Sequence, residues 1–523
     1  MASSSSNTRK SLNQTALLTQ QSQKKRRAHP STPRNPARNN IPRTTVIALA
    51  ANPSPQITPH HDDHHDDVLP CDVLDHIFSY MPIRSAVKTS LLSRRFKDSW
   101  LFSRNLVFDK DFFRRLSGRT QFVSVVNHIC ESHAGAEIRL LRIFIDPSGI
   151  EQTVHKWIEK SIEKGVKELD LDFDLALEPF RMPFRLMDVP TLTTLKLTYC
   201  KVTRLPRDLR GLSSLKTLVL RKAVLEDLTV DSFLFNCINL ETLDLAECYG
   251  ITRLRVFAVR HRRFKVLKVG YSYELSETRV EAPTLQSLHY CGTIQGLRID
   301  VEHDDGESKL RDVMLNFQMA RSGVTRSCLV EKLITNILLN VEVLTITSAF
   351  LEGLTTRIRD GVYGSIHFWL WNLKELQLYV DSTSYCNLYD ISSIVAKCPS
   401  IEKLFLDMSD TNFHGGTYWE FHQKPSLEDS PAIFHSLKFL KLRGFKFLNH
   451  ELELVEYFLK RSPKLESMVL LLPKNGSVDI QPRDAAVCAH LFRIWRANPE
   501  AQVRVCEHRS DESPSPEHSR VWY

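Results

Sequence analysis

Leu192-Thr-Thr-Leu-Lys-Leu197, Leu215-Lys-Thr-Leu-Val-Leu220 and Leu240-Glu-Thr-Leu-Asp-Leu245 follow one another in a chain of 523 residues, and this repeated hexamer decides the fold. The same Leu-x-x-Leu-x-Leu pattern returns as Leu285-Gln-Ser-Leu-His-Tyr290, Leu373-Lys-Glu-Leu-Gln-Leu378, Ile401-Glu-Lys-Leu-Phe-Leu406, Leu437-Lys-Phe-Leu-Lys-Leu442 and Leu465-Glu-Ser-Met-Val-Leu470. Aligned on the fourth position, the series reads Leu169, Leu195, Leu218, Leu243, Leu267, Leu288, Leu315, Leu344, Leu376, Leu404, Leu440 and Met468, with Ile143 extending it backward. Steps of roughly 20–29 residues are those of a leucine-rich repeat, one strand and one return segment per turn. The longer late steps require insertions.

Side chains alternate across a strand, so the leucines of each hexamer share one face. A single turn cannot bury that face. Stacked turns bury it as a continuous ladder, and the parallel strands then line a concave surface on which Thr194, Lys196 and Thr198 point outward. The spacing predicts such a solenoid over residues 136–430. Residues 431–500 add helices: Leu454, Val455, Phe458 and Leu459 form one apolar face after an acidic first turn, and a second helix is expected near 485–495. Together they read as an end unit, followed by a flexible charged tail over 507–523.

The formal charge of +8 is unevenly distributed. Residues 1–61 hold nine Lys or Arg and no acid; removing those nine from 69 basic residues leaves 60, against 61 acids. The folded part is neutral, which argues against nucleic acid as a partner. Residues 1–66 are polar and poor in aromatics, so they read as a disordered tail and linker. Three readings of the Lys24-Lys25-Arg26-Arg27 cluster stay open: a nuclear import signal, a solvated charge run, or part of an organelle transit peptide. His60-His61-Asp62-Asp63-His64-His65-Asp66-Asp67 offers metal-ligand types, but a flexible run preorganises no closed site, so no metal or other cofactor is expected.

Eleven cysteines, without a C-x-x-C pair, suit reduced buried thiols in the cytoplasm or nucleus. No run approaches a membrane span, and Met1–Lys10 lacks a secretory apolar region. No G-x-S-x-G, P-loop, H-E-x-x-H or ordered Ser/His/Asp set occurs, so no catalytic residue is assigned. Isolated histidines such as His289 and His414 read as packing or solvent-facing groups.

Residues 68–100 are helical and apolar. Val73, Leu74, Ile77, Phe78 and Met81 follow i, i+3, i+4 spacing between Pro70, which opens a helix, and Pro82, which stops it. Ser85 precedes a second helix, and Ser93 a short basic third ending near Trp100. Such a unit is small enough to need a partner or a following domain.

Leu69-Pro70, Val73-Leu74, Ile77-Phe78, Met81-Pro82, Ala86-Val87-Lys88-Thr89-Ser90, Leu92-Ser93-Arg94-Arg95 and Trp100 resemble an F-box in its usual order, spanning residues 67–112 with the stretch Asn105–Asp109 that commonly follows it. Phe96 stands where the family usually has Trp. Leu440–Phe445 and Glu451–Lys460 resemble the FBD module of plant F-box/LRR proteins. The resemblance implies an α/β chain with a three-helix F-box, a leucine-rich solenoid and FBD-like terminal repeats. It also implies a non-catalytic substrate-recognition subunit of a Skp–cullin–F-box ubiquitin ligase, or alternatively a scaffold that does not deliver targets. By that resemblance Leu69, Pro70, Val73, Leu74, Ile77, Phe78, Pro82, Ser90, Leu91, Leu92 and Ser93 would bind the Skp-type adaptor, and the concave face an unknown target protein.

Overall fold

The computed structural model describes residues 71–518 apart from 184–185, 187, 203–210, 273, 294–295, 302–307, 318–336, 349, 352–367, 381–385, 410–419, 422–423 and 475–497. The chain opens with helix α1 (Cys71–Tyr80) and helix α2 (Ile83–Thr89), and continues into two short 3-10 turns, Arg94–Phe96 and Ser99–Phe102, where a third helix is expected from the sequence. A segment broken by Asp98 is too short to sustain a full helix, and tighter turns are the usual outcome. Helix α2 begins two residues before Ser85: Pro82 is its N-cap residue, and Ser85 lies inside. Proline serves at this boundary because its missing N–H has no partner to lose there.

The strand Asn105–Phe108 falls in the segment the sequence assigns to the F-box, yet it is the first strand of the solenoid sheet and pairs in parallel with Leu140–Phe144. Hydrogen bonds weld the two units together. Asn105 Nδ2 donates to the Tyr80 carbonyl at 2.7 Å, Ser103 Oγ to that of Met81 at 2.8 Å, and Arg104 N–H to that of Ser79 at 2.8 Å.

Among the described residues, fifteen strands form one sheet, every neighbouring pair parallel, from Asn105–Phe108 to Gln502–Cys506. The leucine ladder runs through it as expected, with Leu195, Leu218, Leu243 and Leu267 in register and fully buried. The register differs from the sequence alignment at two points. Leu288 pairs with Val313 rather than Leu315, and Leu169 with Leu141 rather than Ile143. A slip of one residue would expose the ladder, but a slip of two keeps every apolar side chain on its face, so periodicity alone cannot distinguish these registers. The ladder also continues one strand beyond Met468, to Val503.

Step length varies with the return segment. Across the helical returns Glu151–Glu163, Leu388–Val395 and Asn449–Arg461 successive strands lie 28 residues apart, and across the helix Thr229–Asn236 they lie 25 apart. In the middle of the chain the returns are strands, Arg253–Phe257, Glu277–Glu281 and Leu297–Asp300, which form a second parallel sheet; the steps there shorten to 21–25 residues. An extended chain covers about 3.3 Å per residue against 1.5 Å in a helix, so it closes the turn with fewer residues. The helix Asn449–Arg461 is thus one more return segment, and the FBD-like region continues the solenoid. The expected helix at 485–495 lies outside the described residues. Strand ends repeat one corner: Tyr199, Lys222, Glu247 and Tyr271, each just after a strand, have φ of 41–56°. Gly444 takes the equivalent place at φ 77°, where a Cβ would come within 2.5 Å of Ser409 Cα. The eight cysteines whose side chains are described are free thiols, seven of them buried.

Candidate functional site

Two surfaces are candidates for contact. The first lies on the N-terminal helices. Val73, Ile77 and Tyr80 sit at i, i+4 and i+7 of α1 and are 41%, 46% and 50% exposed; Leu91 and Leu92, just past α2, are 49% and 79% exposed. Apolar side chains in such an arrangement mark a surface that awaits a partner. The predicted adaptor residues therefore divide. Val73, Ile77, Leu91 and Leu92 face outward, as does Pro82, while Ser90 and Ser93 are half-buried. Phe78 is the correction: it is 5% exposed, and its ring packs 5.1 Å from that of Phe96 inside the unit. On a helix Phe78 lies about 100° around from Ile77, so one residue faces outward and its neighbour packs within the unit. Ser90 Oγ donates to the Val87 carbonyl at 2.7 Å and closes the end of α2. Leu69 and Pro70, and the side chain of Leu74, lie outside the described residues.

The second surface is the sheet face opposite the leucine ladder, the concave face expected of a solenoid. Its central row runs Arg142, Asp170, Lys196, Val219, Asp244, Lys268, then His289, Met314, Thr345, Gln377, Phe405, Lys441 and Val469. In the first half these side chains are mostly half-exposed, with ion pairs such as Arg142–Asp170 at 2.9 Å and Arg221–Asp244 at 3.3 Å. From His289 onward they are buried.

The cause is the C-terminal segment, which the sequence reading takes as a flexible tail. After the strand Gln502–Cys506 the chain reverses, and residues 507–518 run back across the concave face. His508 Nε2 meets Arg443 Nη2 at 3.0 Å. Asp511 pairs with Lys441 at 2.5 Å, and the Lys441 ammonium also donates to the Pro514 carbonyl at 3.2 Å. The Glu517 N–H donates to Glu375 Oε1 at 2.7 Å, and the His518 side chain, 2% exposed, reaches Thr345 and Asp312. Burial works against the Asp511 carboxylate, but the Lys441 and Ser513 contacts outweigh it and hold its pKa below the usual range. Lys441, Arg443, Glu375, Thr345 and Asp312 each receive a partner from the strap, which is why a segment of charged and small residues can lie on a sheet at all. Phe405, Phe439 and Val469 form an apolar patch on the same face, with Cys506 packed against it.

His289, read from the sequence as an isolated packing or solvent-facing group, lies at the strap's end. Its ring stands 4.7 Å from that of His518, edge to face, and Nε2 is 3.7 Å from Asp312 Oδ1. Thr345, His518 and Asp312 form a hydroxyl–imidazole–carboxylate series that the sequence order conceals. Thr345 is 1% exposed and donates to Gln377 Oε1, so in this series it is an anchor. His414 lies outside the described residues.

Comparison with known proteins follows the same division. Residues 67–107 match the F-box domain family, and residues 129–497 match the LRR domain described for At1g61320/AtMIF1. The chain is 30% identical over 426 residues to the FBD-associated F-box protein At1g61320 of Arabidopsis thaliana, covering 80% of this chain and 91% of that protein. It is 23% identical over 452 residues to the Arabidopsis thaliana F-box/FBD/LRR-repeat protein At5g22700, covering 82% and 95%.

Proposed function

The chain belongs to the FBD-associated F-box/LRR protein family, and from that premise we propose that it is a substrate-recognition subunit of a Skp–cullin–F-box ubiquitin ligase. An F-box implies a Skp-type adaptor as partner, and members of such families are in general non-catalytic adaptors. The observation that carries the reading is the exposed stripe of Val73, Ile77, Leu91 and Leu92 beside a buried Phe78. Burying each such side chain against a partner contributes about 1.5–3 kcal/mol, enough in total for a specific interface. The adaptor brings the cullin, and the ligase chemistry belongs to those partners. The chain's own task is to present a target on the open part of the concave face, near Asp170, Lys196 and Val219. We place this activity in the nucleus or cytoplasm.

The welded junction at Asn105 supports the reading physically. A target held on the first solenoid turns keeps a fixed position relative to the adaptor, which ubiquitin transfer requires. The test is co-purification with a Skp-type adaptor. Ile77→Asp combined with Leu92→Asp is expected to abolish it while the thermal midpoint stays unchanged; retained binding overturns the adaptor assignment. Reconstituted ubiquitin transfer onto a captured target then separates a ligase subunit from a scaffold.

A further inference from the structure

His289, Asp312 and His518 bring one ligand atom each to within 4.8 Å of one another, from two adjacent strands and the distant C-terminal strap. Asp312 is in the strand Asp312–Phe317, His289 in the neighbouring strand Ser287–Gly292, and His518 at the end of the strap. The surroundings prepare each group to donate. His518 Nδ1 contacts Thr345 Oγ1 at 2.6 Å; because that hydroxyl donates its own hydrogen to Gln377, Nδ1 carries the proton and Nε2 is turned toward Asp312. Ser287 Oγ donates to Asp312 Oδ2 at 3.0 Å and leaves Oδ1 for the cluster. An imidazole whose far nitrogen is held by an oxygen, and a carboxylate whose far oxygen is held by a hydroxyl, are the outer contacts of a metal ligand set.

His289 gives the independent sign. It is 8% exposed, and neither ring nitrogen has a hydrogen-bond partner. An uncompensated polar pair of this kind is costly unless something fills the position it faces.

We infer that His289, Asp312 and His518 bind a divalent first-row transition metal of the zinc class, and that the ion latches residues 507–518 across the concave face. Two imidazoles and one carboxylate are borderline donors suited to zinc, with a fourth position left to water. Bonds of about 2.0–2.2 Å place tetrahedral ligand atoms on the order of 3.3 Å apart, so the histidines draw together while the His518–Asp312 contact opens. The balance is simple: His518 Nε2 gives up any proton it shares with Asp312, the proton leaves to solvent, and no electron moves. The consequence for target access rests on the function proposed above; metal binding and the latch do not.

The experiment uses the full chain, stripped with a chelator and titrated with zinc chloride beside His518→Ala and His289→Ala. Any zinc taken up by the run His60–Asp67 is common to all three, so the quantity read is a difference. The wild type is expected to take up one equivalent more than either variant. Amide hydrogen exchange over 502–518 is expected to slow about 100-fold at free zinc 100 times the Kd in the wild type alone. Equal stoichiometry in the three proteins overturns the site, and an extra equivalent without slowed exchange overturns the latch. His518→Ala lies outside the solenoid, so a folded variant with an unchanged thermal midpoint before zinc is added guards against misfolding. Adaptor co-purification, measured on the same samples, reports separately on the proposed function.

Discussion

The strand Thr194–Thr198 and the strand Phe439–Arg443 carry the same buried leucine pair, yet they live in different surroundings. In the first, burial alternates strictly and Lys196 is half-exposed. In the second, four of five residues are buried and the equivalent Lys441 is 7% exposed. One solenoid therefore has two kinds of outer face, an open charged one and a covered one that behaves as a second thin core. The difference teaches that a repeat motif specifies its inward ladder and leaves the outward row to whatever lies on it.

The sharpest way to break this comparison is to truncate equivalent outward residues. Phe405→Ala, in the covered half, is expected to cost about 3–5 kcal/mol, whereas Val219→Ala in the open half costs about 1 kcal/mol or less. Urea unfolding midpoints measure both, and equal losses would erase the distinction between the halves. Next in size are the cations. Lys441→Met leaves the half-buried Asp511 with only its Ser513 contacts, at a cost of about 2 kcal/mol, and exposes residues 507–518 to protease. Arg142→Met, whose pair with Asp170 is solvated, costs at most about 1 kcal/mol.

A pH titration sharpens the comparison further. Burial depresses the pKa of His133, at the N-terminal junction, and of His289, under the strap. A histidine with a folded pKa below its unfolded value of about 6.5 binds fewer protons when folded, so its stability contribution falls as pH drops below about 6.5. Asp312 acts in the same sense but later: burial alone would raise it, the two imidazoles outweigh that and hold it low, and its contribution is lost only below about pH 4. The thermal midpoint is expected to decline from pH 7 to pH 5, and strap exchange to rise over the same interval; a midpoint that climbs contradicts the assignment. The smallest effect is Lys196→Glu, which should shift stability by no more than about 0.5 kcal/mol while altering capture of targets on the open face.

Much of this was legible in the residues. Leu-x-x-Leu-x-Leu is local, its period matches a strand, and its recurrence demands stacking, so the solenoid follows from physics on a scale of six residues. The F-box helices are legible for the same reason, because Pro70, Pro82 and the apolar spacing act within one or two turns. The split between Ile77 and Phe78 was not legible. Both lie on a broad apolar face, and only the place of Phe96 decides which one turns inward. The two-residue slips at Val313 and Leu141 escaped because alternation is unchanged by them.

The sequence by itself determined that this chain stacks parallel strands behind a small helical docking unit, since those features rest on contacts between near neighbours in the chain. The tertiary structure alone decided where residues 507–518 go. Glu517 contacts Glu375 and His518 contacts Asp312 across separations of 142 and 206 residues, and no local pattern encodes such a meeting. It depends on the reach of a strap with prolines at 514 and 516, on the buried Lys441 that needs an anion, and on a His289 whose ring nitrogens have no hydrogen-bond partner.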